Sequence, residues 1–318
     1  MFKKLNTTSL LIILLVLLGI YFISRQTANK ERSFKDVLTE FNESQVERVV
    51  YTPPEKPAIE ISKEAGTWKV KHEGMTYETD TARVMNMLNQ ISNMQTKTIA
   101  AKKPEKWNEY EVSDSAGIFV EVYGANDKLA DFVVGKFSYQ QQQQQVAGQQ
   151  PNVDLTSYIS LQDDDAVYGV DGFLKMAFPA DVNQWRNKTL VSVDKQAVNS
   201  IRFRGKQEYS LNRKGEEWFF NDQPADSARM QQYLSSIQNF KGQNITDQNP
   251  QGEPVMTCEI ITENQPTTKV EAYSSGMQEQ EQATYLVKST QNPELVFSMP
   301  ENMLQRLFKA KEHFLPGE

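Results

Sequence analysis

The sequence predicts an α+β protein with an N-terminal transmembrane helix, followed by two duplicated units of mainly antiparallel sheet with one long amphipathic helix each. Two observations lead to this prediction: an uncharged apolar run near the N-terminus, and the occurrence of one short pattern twice, as DTARVMNMLNQISNM (80–94) and DSARMQQYLSSIQNF (226–240). The 318 residues suffice for two ordinary domains. With 39% hydrophobic and 24% charged residues, the composition is that of a globular protein.

The N-terminal segment 5–23 contains no charged residue and is long enough to cross a bilayer as a helix. Lys3 and Lys4 precede it, so the positive-inside rule keeps residues 1–4 in the cytoplasm and places the bulk of the chain in the periplasm or another extracytoplasmic space. A cleaved signal peptide is the alternative, but no small-x-small cleavage site follows. A single-pass anchor in the inner (cytoplasmic) membrane is therefore favoured. The centre of this membrane anchor consists of Leu10, Leu11, Ile12, Ile13, Leu14, Leu15, Val16, Leu17, Leu18, Gly19 and Ile20.

Both copies of the repeated stretch have the spacing of an amphipathic helix, with apolar residues at i, i+3, i+4, i+7 and i+10. Asp80 or Asp226 precedes the first turn, where a carboxylate can accept the free backbone N–H groups. We interpret both aspartates as helix caps rather than as active-site acids. The apolar positions are Val84, Met87, Leu88, Ile91 and Met94 in the first copy, and Met230, Tyr233, Leu234, Ile237 and Phe240 in the second.

The similarity extends to both sides of the two helices. Upstream, each copy has two strands joined by a glycine turn, and Trp68 and Trp218 occupy equivalent places in the second strand. Downstream, further strands alternate with polar turns, and a short apolar helix closes each copy. The aligned segments are 46–51 with 198–203, 117–124 with 268–275, 156–170 with 283–299, and 171–178 with 301–314.

The two copies cover about residues 34–185 and 190–318, and their period is too long for a solenoid, so a domain duplication is predicted. The first copy contains a Gln-rich segment, 139–154, predicted to be a mobile insertion between two strands. For this insertion, neutral length variation is favoured over a role in interaction. The segment WRNKTLVSVD (185–194) is interpreted as a linker whose tryptophan packs between the domains; a recognition patch is the alternative.

No catalytic, cofactor-binding or metal-binding residue is predicted. The one cysteine, Cys258, is interpreted as a buried strand residue, and His72 and His313 are far apart and outside any motif. The acidic run 163–165 is expected to be a turn rather than a calcium loop, because valines intrude at the positions that follow. A net charge of −7 without a basic cluster argues against a nucleic-acid partner.

The order of these elements resembles that of the bacterial domain of unknown function 4340 family. The resemblance extends over nearly the whole chain and includes the membrane anchor. It rests on GTWKVKHEGMTYETDTARVMNMLNQISNM (66–94), on VYGVDGFLKMAF (167–178) and on WRNKTLVSVD leading into a strand. One departure is WNEYEV (107–112), where the family pattern implies a turn of Gly-Leu type.

The resemblance implies a cell-envelope protein associated with ABC-transporter components of the gliding-motility auxiliary type. It thus implies a membrane-anchored accessory protein whose partners are the bilayer and the permease or ATPase subunits of a transporter. Since the sequence contains no catalytic motif, we expect this protein to be non-catalytic. No cofactor is expected, and a small-molecule ligand is not specified. The alternatives are an envelope hydrolase that cleaves glycan or peptide with paired carboxylates, and a structural spacer without a ligand.

Overall fold

A computed structural model of the protein describes residues 35–141, 153–279 and 282–316. The chain divides into two units between Trp185 and Arg186. The predicted membrane anchor at 5–23 and most of the Gln-rich segment lie outside the described residues. Within the described part, no helix is both long enough and apolar enough to cross a membrane.

In the described part of the first unit, nine strands form one antiparallel sheet. The helix α1 (Thr81–Ile91) packs on one face of this sheet through Val84, Met87, Leu88 and Ile91, as the apolar spacing predicts. The strands are β1 (Arg48–Thr52), β2 (Ile59–Glu64), β3 (Thr67–His72), β4 (Met75–Glu78), β5 (Thr98–Ala101), β6 (Ile118–Tyr123), β7 (Lys128–Gln141), β8 (Val153–Leu161) and β9 (Val167–Asp171). Their order across the sheet is β4-β3-β2-β1-β6-β7-β8-β9-β5.

The described part of the second unit contains a second nine-stranded antiparallel sheet and a small sheet of two strands. Its helices are α2 (Ser227–Ile237) and α3 (Glu301–Leu307). The strands are β10 (Thr189–Ser192), β11 (Val198–Arg204), β12 (Tyr209–Lys214), β13 (Glu217–Phe220), β14 (Gln223–Pro224), β15 (Asn239–Lys241), β16 (Asn244–Thr246), β17 (Met256–Thr262), β18 (Thr268–Glu279), β19 (Gln282–Ser289) and β20 (Val296–Pro300). The large sheet has the order β14-β13-β12-β11-β17-β18-β19-β20-β16, and β10 pairs with β15.

The two large sheets share one topology, which fits the predicted duplication. One part of the sequence alignment is nevertheless wrong. Residues 117–124 (β6) were aligned with 268–275 (β18), but the strand beside β1 is β6 and the strand beside β11 is β17, so β6 corresponds to β17 and β7 to β18. Neighbouring strands of a meander share the same two-residue alternation, and this pattern does not determine which strand of the pair is equivalent.

Five short 3-10 helices complete the described chain. The segment predicted to close the first unit as an apolar helix contains one of them, whereas the corresponding segment of the second unit forms the α-helix α3. The 3-10 helices are Glu43–Gln45, Pro104–Lys106, Leu174–Ala177, Val182–Gln184 and Lys311–His313.

The two long helices begin at the aspartates that the sequence indicates. Asp226 accepts a hydrogen bond on Oδ1 from the backbone N–H of Arg229 at 3.0 Å, whereas the side chain of Asp80 accepts no capping hydrogen bond. The backbone N–H of Asp80 donates to the carbonyl of Trp185, and that of Asp226 to the carbonyl of Phe314, both at 2.8 Å. In each unit, the start of the long helix is therefore bonded to the segment that closes the unit.

Replacing Asp226 with alanine is expected to lower the free energy of unfolding of the second unit by about 1 kcal/mol, because the N–H of Arg229 loses its acceptor. Asp226→Asn keeps a side-chain oxygen in place and should lie within a few tenths of a kcal/mol of the wild type. Hydrogen exchange of peptides from α2 measures both values. Equal losses in the two variants would show that the carboxylate charge matters more than the cap.

Trp185 is a core residue of the first unit, whereas the interpretation of 185–194 made it part of a linker. Its side chain is fully buried in the core of the first unit, and its ring Nε1 donates to Tyr51 Oη at 2.6 Å. Tyr51 Oη donates in turn to the carbonyl of Pro179 at 2.6 Å, and burial raises the pKa of Tyr51 above its usual range. Trp185 is thus the last core residue of the first unit, and β10 already belongs to the second.

The departure at 107–112 covers the second face of the first sheet. Val112 is buried there with Val133 and Val167, and Trp107 and Tyr110 pack against them. The strand beneath the segment contains Gly135, where a Cβ atom would lie 2.1 Å from the carbonyl oxygen of Tyr110. This part of the sheet is therefore covered on both faces, by α1 on one side and by an irregular segment on the other.

The acidic run 163–165 lies in the turn between β8 and β9, as expected. Asp164 accepts a hydrogen bond on Oδ1 from the backbone N–H of Ala166 at 3.0 Å and one on Oδ2 from Tyr168 Oη at 2.6 Å. Both oxygens of this carboxylate thus stabilise the turn itself.

Candidate functional site

A pocket of about 260 Å³ lies in the second unit, where the turn between β11 and β12 meets the segment that follows α3. Its apolar wall comes from β11, β12, the start of β17 and the end of the unit, and the residues of this wall are Phe203, Tyr209, Met256, Leu304, Phe308 and Ala310. Polar and charged residues line the remainder, namely Arg204, Lys206, Gln207, Glu301, Gln305 and Lys309. We call this cavity the second-unit pocket.

Contacts within β11 and β12, and between β12 and the segment after α3, position the walls of the pocket. Phe203 and Tyr209 are paired across β11 and β12, and their rings stack with centroids 4.6 Å apart. Tyr209 Oη donates a hydrogen bond to the backbone carbonyl of Lys309, and burial raises the pKa of Tyr209 above its usual range, so the hydroxyl remains a neutral donor. This bond fixes the chain after α3 at the side of the pocket.

Gly205 allows the turn to approach the start of β17. Its φ is +148°, and a Cβ atom there would lie 2.8 Å from the carbonyl oxygen of Val255. Only glycine fits this combination of conformation and close approach. Arg204 and Lys206, on either side of Gly205, consequently both reach the lining of the pocket.

The charges around the pocket are unbalanced toward the positive side. Arg204 is 3.7 Å from Glu208 at the nearest atoms, an exposed pair that contributes little. Among the described residues, neither Lys206 nor Lys309 lies within 4.0 Å of a carboxylate oxygen. Burial lowers the pKa of the nearby His313, and the positive charges of Lys309 and Arg229 lower it further. The lining of this pocket thus carries three cationic side chains and one carboxylate, Glu301, and Glu312 lies beside it as the acceptor of a hydrogen bond from Gln207, in a protein whose net charge is −7.

The chemistry available in the pocket follows from its side chains. Among the described residues, Glu301 is the one carboxylate in its lining, so a pair of acids is not present there. Cys258 is fully buried in β17, as the sequence predicts, and burial raises the pKa of its thiol, which keeps it protonated and unreactive. The described part of the chain holds no cluster of metal-ligating side chains. The arrangement therefore offers an apolar recess beside three cationic side chains.

Comparison with known proteins places this chain in a family. A sequence model of the domain of unknown function DUF4340 matches residues 70–255, which is more than half of the chain. The chain belongs to the DUF4340 family. The match runs from β3 of the first unit to the residue before β17 of the second, and so crosses the boundary at Trp185. No curated protein and no solved structure matches the sequence.

The residues that mark the repeat in this DUF4340 protein lie away from the second-unit pocket. Trp68 in β3 and Trp218 in β13 are both buried, and each is paired across the hairpin with a basic residue, Lys63 or Arg213. Asp80 and Asp226 stand at the starts of α1 and α2. Two of these four residues are thus buried in a core, and two stand at helix starts. The predicted membrane-anchor residues Leu10–Ile20 lie outside the described chain.

The sequence analysis of this DUF4340 protein did not identify the cationic residues of the second-unit pocket, because they are far apart in the chain. Arg204 and Lys206 precede Lys309 by about a hundred residues, and only the closing segment of the unit brings them to one cavity. One difference between the two copies could nevertheless have pointed to Arg204 and Lys206. The second copy has RGKQ at the turn between its first two strands, whereas the first copy has the proline-rich TPPEKP (52–57).

Proposed function

We propose that this DUF4340 protein is a membrane-anchored, extracytoplasmic binding protein without catalytic activity, and that the second-unit pocket takes an apolar side chain from an acidic segment of a partner protein. One observation carries the proposal: an apolar recess lined by three cationic residues, Arg204, Lys206 and Lys309, in a protein that is acidic overall. The predicted membrane anchor and the family resemblance favour a component of an ABC-type transporter as the partner.

The size of the pocket favours a side chain over a free metabolite. Pockets for drug-sized ligands usually measure about 300–1,000 Å³, and this one, at about 260 Å³, is smaller. A recess of this size suits one large apolar side chain, such as the buried aromatic residues that dominate protein interfaces. Lysines without a carboxylate partner attract acidic residues that flank this side chain, and this attraction selects the partner and accelerates association.

The alternative of a hydrolase has less support. Glycan cleavage with paired carboxylates needs two acids about 5–10 Å apart. Among the described residues, Glu301 is the one acid in the lining of the pocket, and Gln207 and Gln305 are its neutral polar residues. The charge arrangement favours the recognition of a negative segment, and binding therefore remains the proposal.

The double substitution Lys206→Glu and Lys309→Glu is expected to weaken binding of a labelled Asp-Glu-Phe-Glu-Asp peptide by about 10–100-fold, measured by fluorescence anisotropy with the full-length protein in nanodiscs. Two reversals change attraction into repulsion, and this range corresponds to about 1.4–2.8 kcal/mol. Wild-type affinity should fall with added salt. A peptide with alanine in place of phenylalanine should bind weakly to every variant.

Lys56→Glu is the matched control, since Lys56 lies in the corresponding turn of the first unit, between β1 and β2. Affinity equal to that of the wild type is expected for this variant. If wild-type protein does not bind the acidic peptide, or if Lys56→Glu weakens binding as much as the double reversal, the assignment of the pocket is wrong.

A native-membrane pull-down tests the transporter partner separately. Permease and ATPase subunits should co-purify with the wild type in mild detergent and be lost with the double reversal. A variant with an unrelated anchor in place of residues 5–23 shows whether the membrane segment contributes. Binding of the peptide without recovery of transporter subunits would retain the pocket and reject the ABC-type partner.

A further inference from the structure

An exposed apolar patch lies at one end of the first unit, where β7 and β8 extend beyond the core. Phe137 and Tyr139 of β7 are 41% and 55% exposed, and Met176 of the neighbouring 3-10 helix is 67% exposed. The ring of Phe137 lies against that of Phe173, with centroids 4.0 Å apart. We call these four residues the aromatic patch.

A β-bulge turns these side chains away from the covered outer face. The register of β7 and β8 shifts between Val134, which is buried, and Phe137. Ser138, between the two exposed aromatic residues, accepts a hydrogen bond from Tyr158 Oη, and Tyr158 packs against the outer-face cluster. Phe137 and Tyr139 therefore lie on the opposite face, the one that carries the 3-10 helix Leu174–Ala177.

The described chain begins at the same end of the unit. The carbonyl of Lys35, the first described residue, accepts a hydrogen bond from Thr96 Oγ1 at 2.5 Å. Lys97, next in the chain, forms a salt bridge with Asp171 at 2.8 Å and another with Asp154. Asp154 is adjacent to the residue paired with Tyr139, and Asp171 precedes Phe173 by two positions. A short series of contacts thus connects the start of the described chain with the aromatic patch.

The surroundings of the patch carry little uncompensated negative charge. Asp154 and Asp171 share Lys97, which leaves one negative charge in this group, and Lys175, beside Met176, is paired with Glu111 at 2.7 Å. The sequence between β7 and β8, residues 142–152, contains no charged residue. An anionic surface would therefore meet no strong repulsion here, although the protein is acidic overall.

We propose that the aromatic patch docks on the surface of the lipid bilayer beside the predicted membrane anchor. Eleven residues, 24–34, separate the anchor from Lys35. Fully extended, they span at most roughly 36–40 Å. This tether keeps the patch near the bilayer, where aromatic side chains favour the headgroup level. The proposal rests on the anchor prediction and is independent of the pocket.

Site-specific fluorescence in nanodiscs tests the docking. Full-length Tyr139→Cys is labelled with the environment-sensitive dye NBD, and lipids that carry a doxyl quencher are included in the bilayer. Cys258 is fully buried and so does not compete for the label in the folded protein. Met75→Cys is the matched control, because Met75 is also an exposed apolar residue (54%) but lies in β4, at the other edge of the sheet from β5.

Quenching of NBD at position 139 is expected to exceed quenching at position 75 at least threefold, with a blue-shifted emission. Adding Phe137→Gln and Met176→Gln should reduce the quenching at 139, since these residues hold the patch on the surface. A blue shift without lipid quenching would show that another protein, or a second copy of this chain, covers the patch, and would overturn the proposal.

Extraction of the full-length protein from membranes with alkaline carbonate separates this proposal from the anchor prediction. Release into the soluble fraction would reject the anchor and the docking together. Retention in the membrane with equal quenching at positions 139 and 75 would keep the anchor and reject the docking.

Discussion

Replacing Trp185 with alanine is expected to lower the free energy of unfolding of the first unit by about 3–5 kcal/mol. The substitution removes a fully buried indole from the core and leaves a cavity that the surrounding sheet and helix cannot close. It also removes the hydrogen bond to Tyr51 Oη and the cationic contact of Arg83, which lies 5.3 Å from the ring centroid. A residue that merely linked two domains would not have this effect.

Native-state hydrogen exchange of the full-length protein measures the loss in β1 and β2, with peptides of the second unit as an internal reference. Exchange in the second unit should remain unchanged, because Trp185 belongs to the first core. Met75→Ala is the control for an exposed apolar side chain and should change stability by no more than about 0.5 kcal/mol. Equal destabilisation of both units by Trp185→Ala would restore the interpretation that this residue packs between domains.

Gly135→Ala is expected to destabilise the first unit by about 2–3 kcal/mol. The added Cβ atom would lie 2.1 Å from the carbonyl oxygen of Tyr110 and 2.7 Å from a methyl carbon of Val112. Backbone cannot move out of the way as a flexible side chain can, so the covering segment must lift from the sheet. The hydrogen bond from the backbone N–H of Lys136 to the carbonyl of Tyr110, 2.9 Å long, should break as well.

Gly66→Ala provides the comparison for this second variant. No atom lies within 4 Å of a Cβ atom at Gly66, although its φ of +81° makes alanine unfavourable by about 1 kcal/mol. Hydrogen exchange of residues 107–112 should rise sharply in Gly135→Ala and remain at the wild-type level in Gly66→Ala. Unchanged protection of 107–112 in both variants would show that the segment does not depend on its contact with β7.

The sequence was informative where local patterns determine local structure. The spacing of Val84, Met87, Leu88 and Ile91 predicts α1 on the sheet, and a glycine turn precedes each Trp strand. Local pattern does not show which strand of a meander is equivalent to which, and the alignment of 117–124 with 268–275 failed for this reason. The place of Trp185 was also hidden, because its partner Tyr51 is 134 residues away.

The candidate site depends on long-range contacts to a still greater degree. Lys309 reaches the second-unit pocket because its carbonyl is bonded to Tyr209, a hundred residues earlier. No periodicity in sequence reports such a bond. The turn between the first two strands differs between the two copies, and only the second copy has Arg204 and Lys206 there. The fold does not require these two residues, because TPPEKP makes the corresponding connection in the first unit.

The bond between Trp185 and Tyr51 also limits when the first unit can finish folding during synthesis. Ribosomes add about 5–20 residues per second, so Tyr51 waits on the order of 10 seconds for a partner 134 residues behind it. Asp80, whose N–H is bonded to the carbonyl of Trp185, waits for a somewhat shorter time, because it precedes that residue by fewer positions than Tyr51 does. During that interval the chain of the hairpins β1–β4 is complete but lacks its closing residue. A nascent chain of this protein therefore exposes incomplete sheet to chaperones and proteases until residue 185 has emerged.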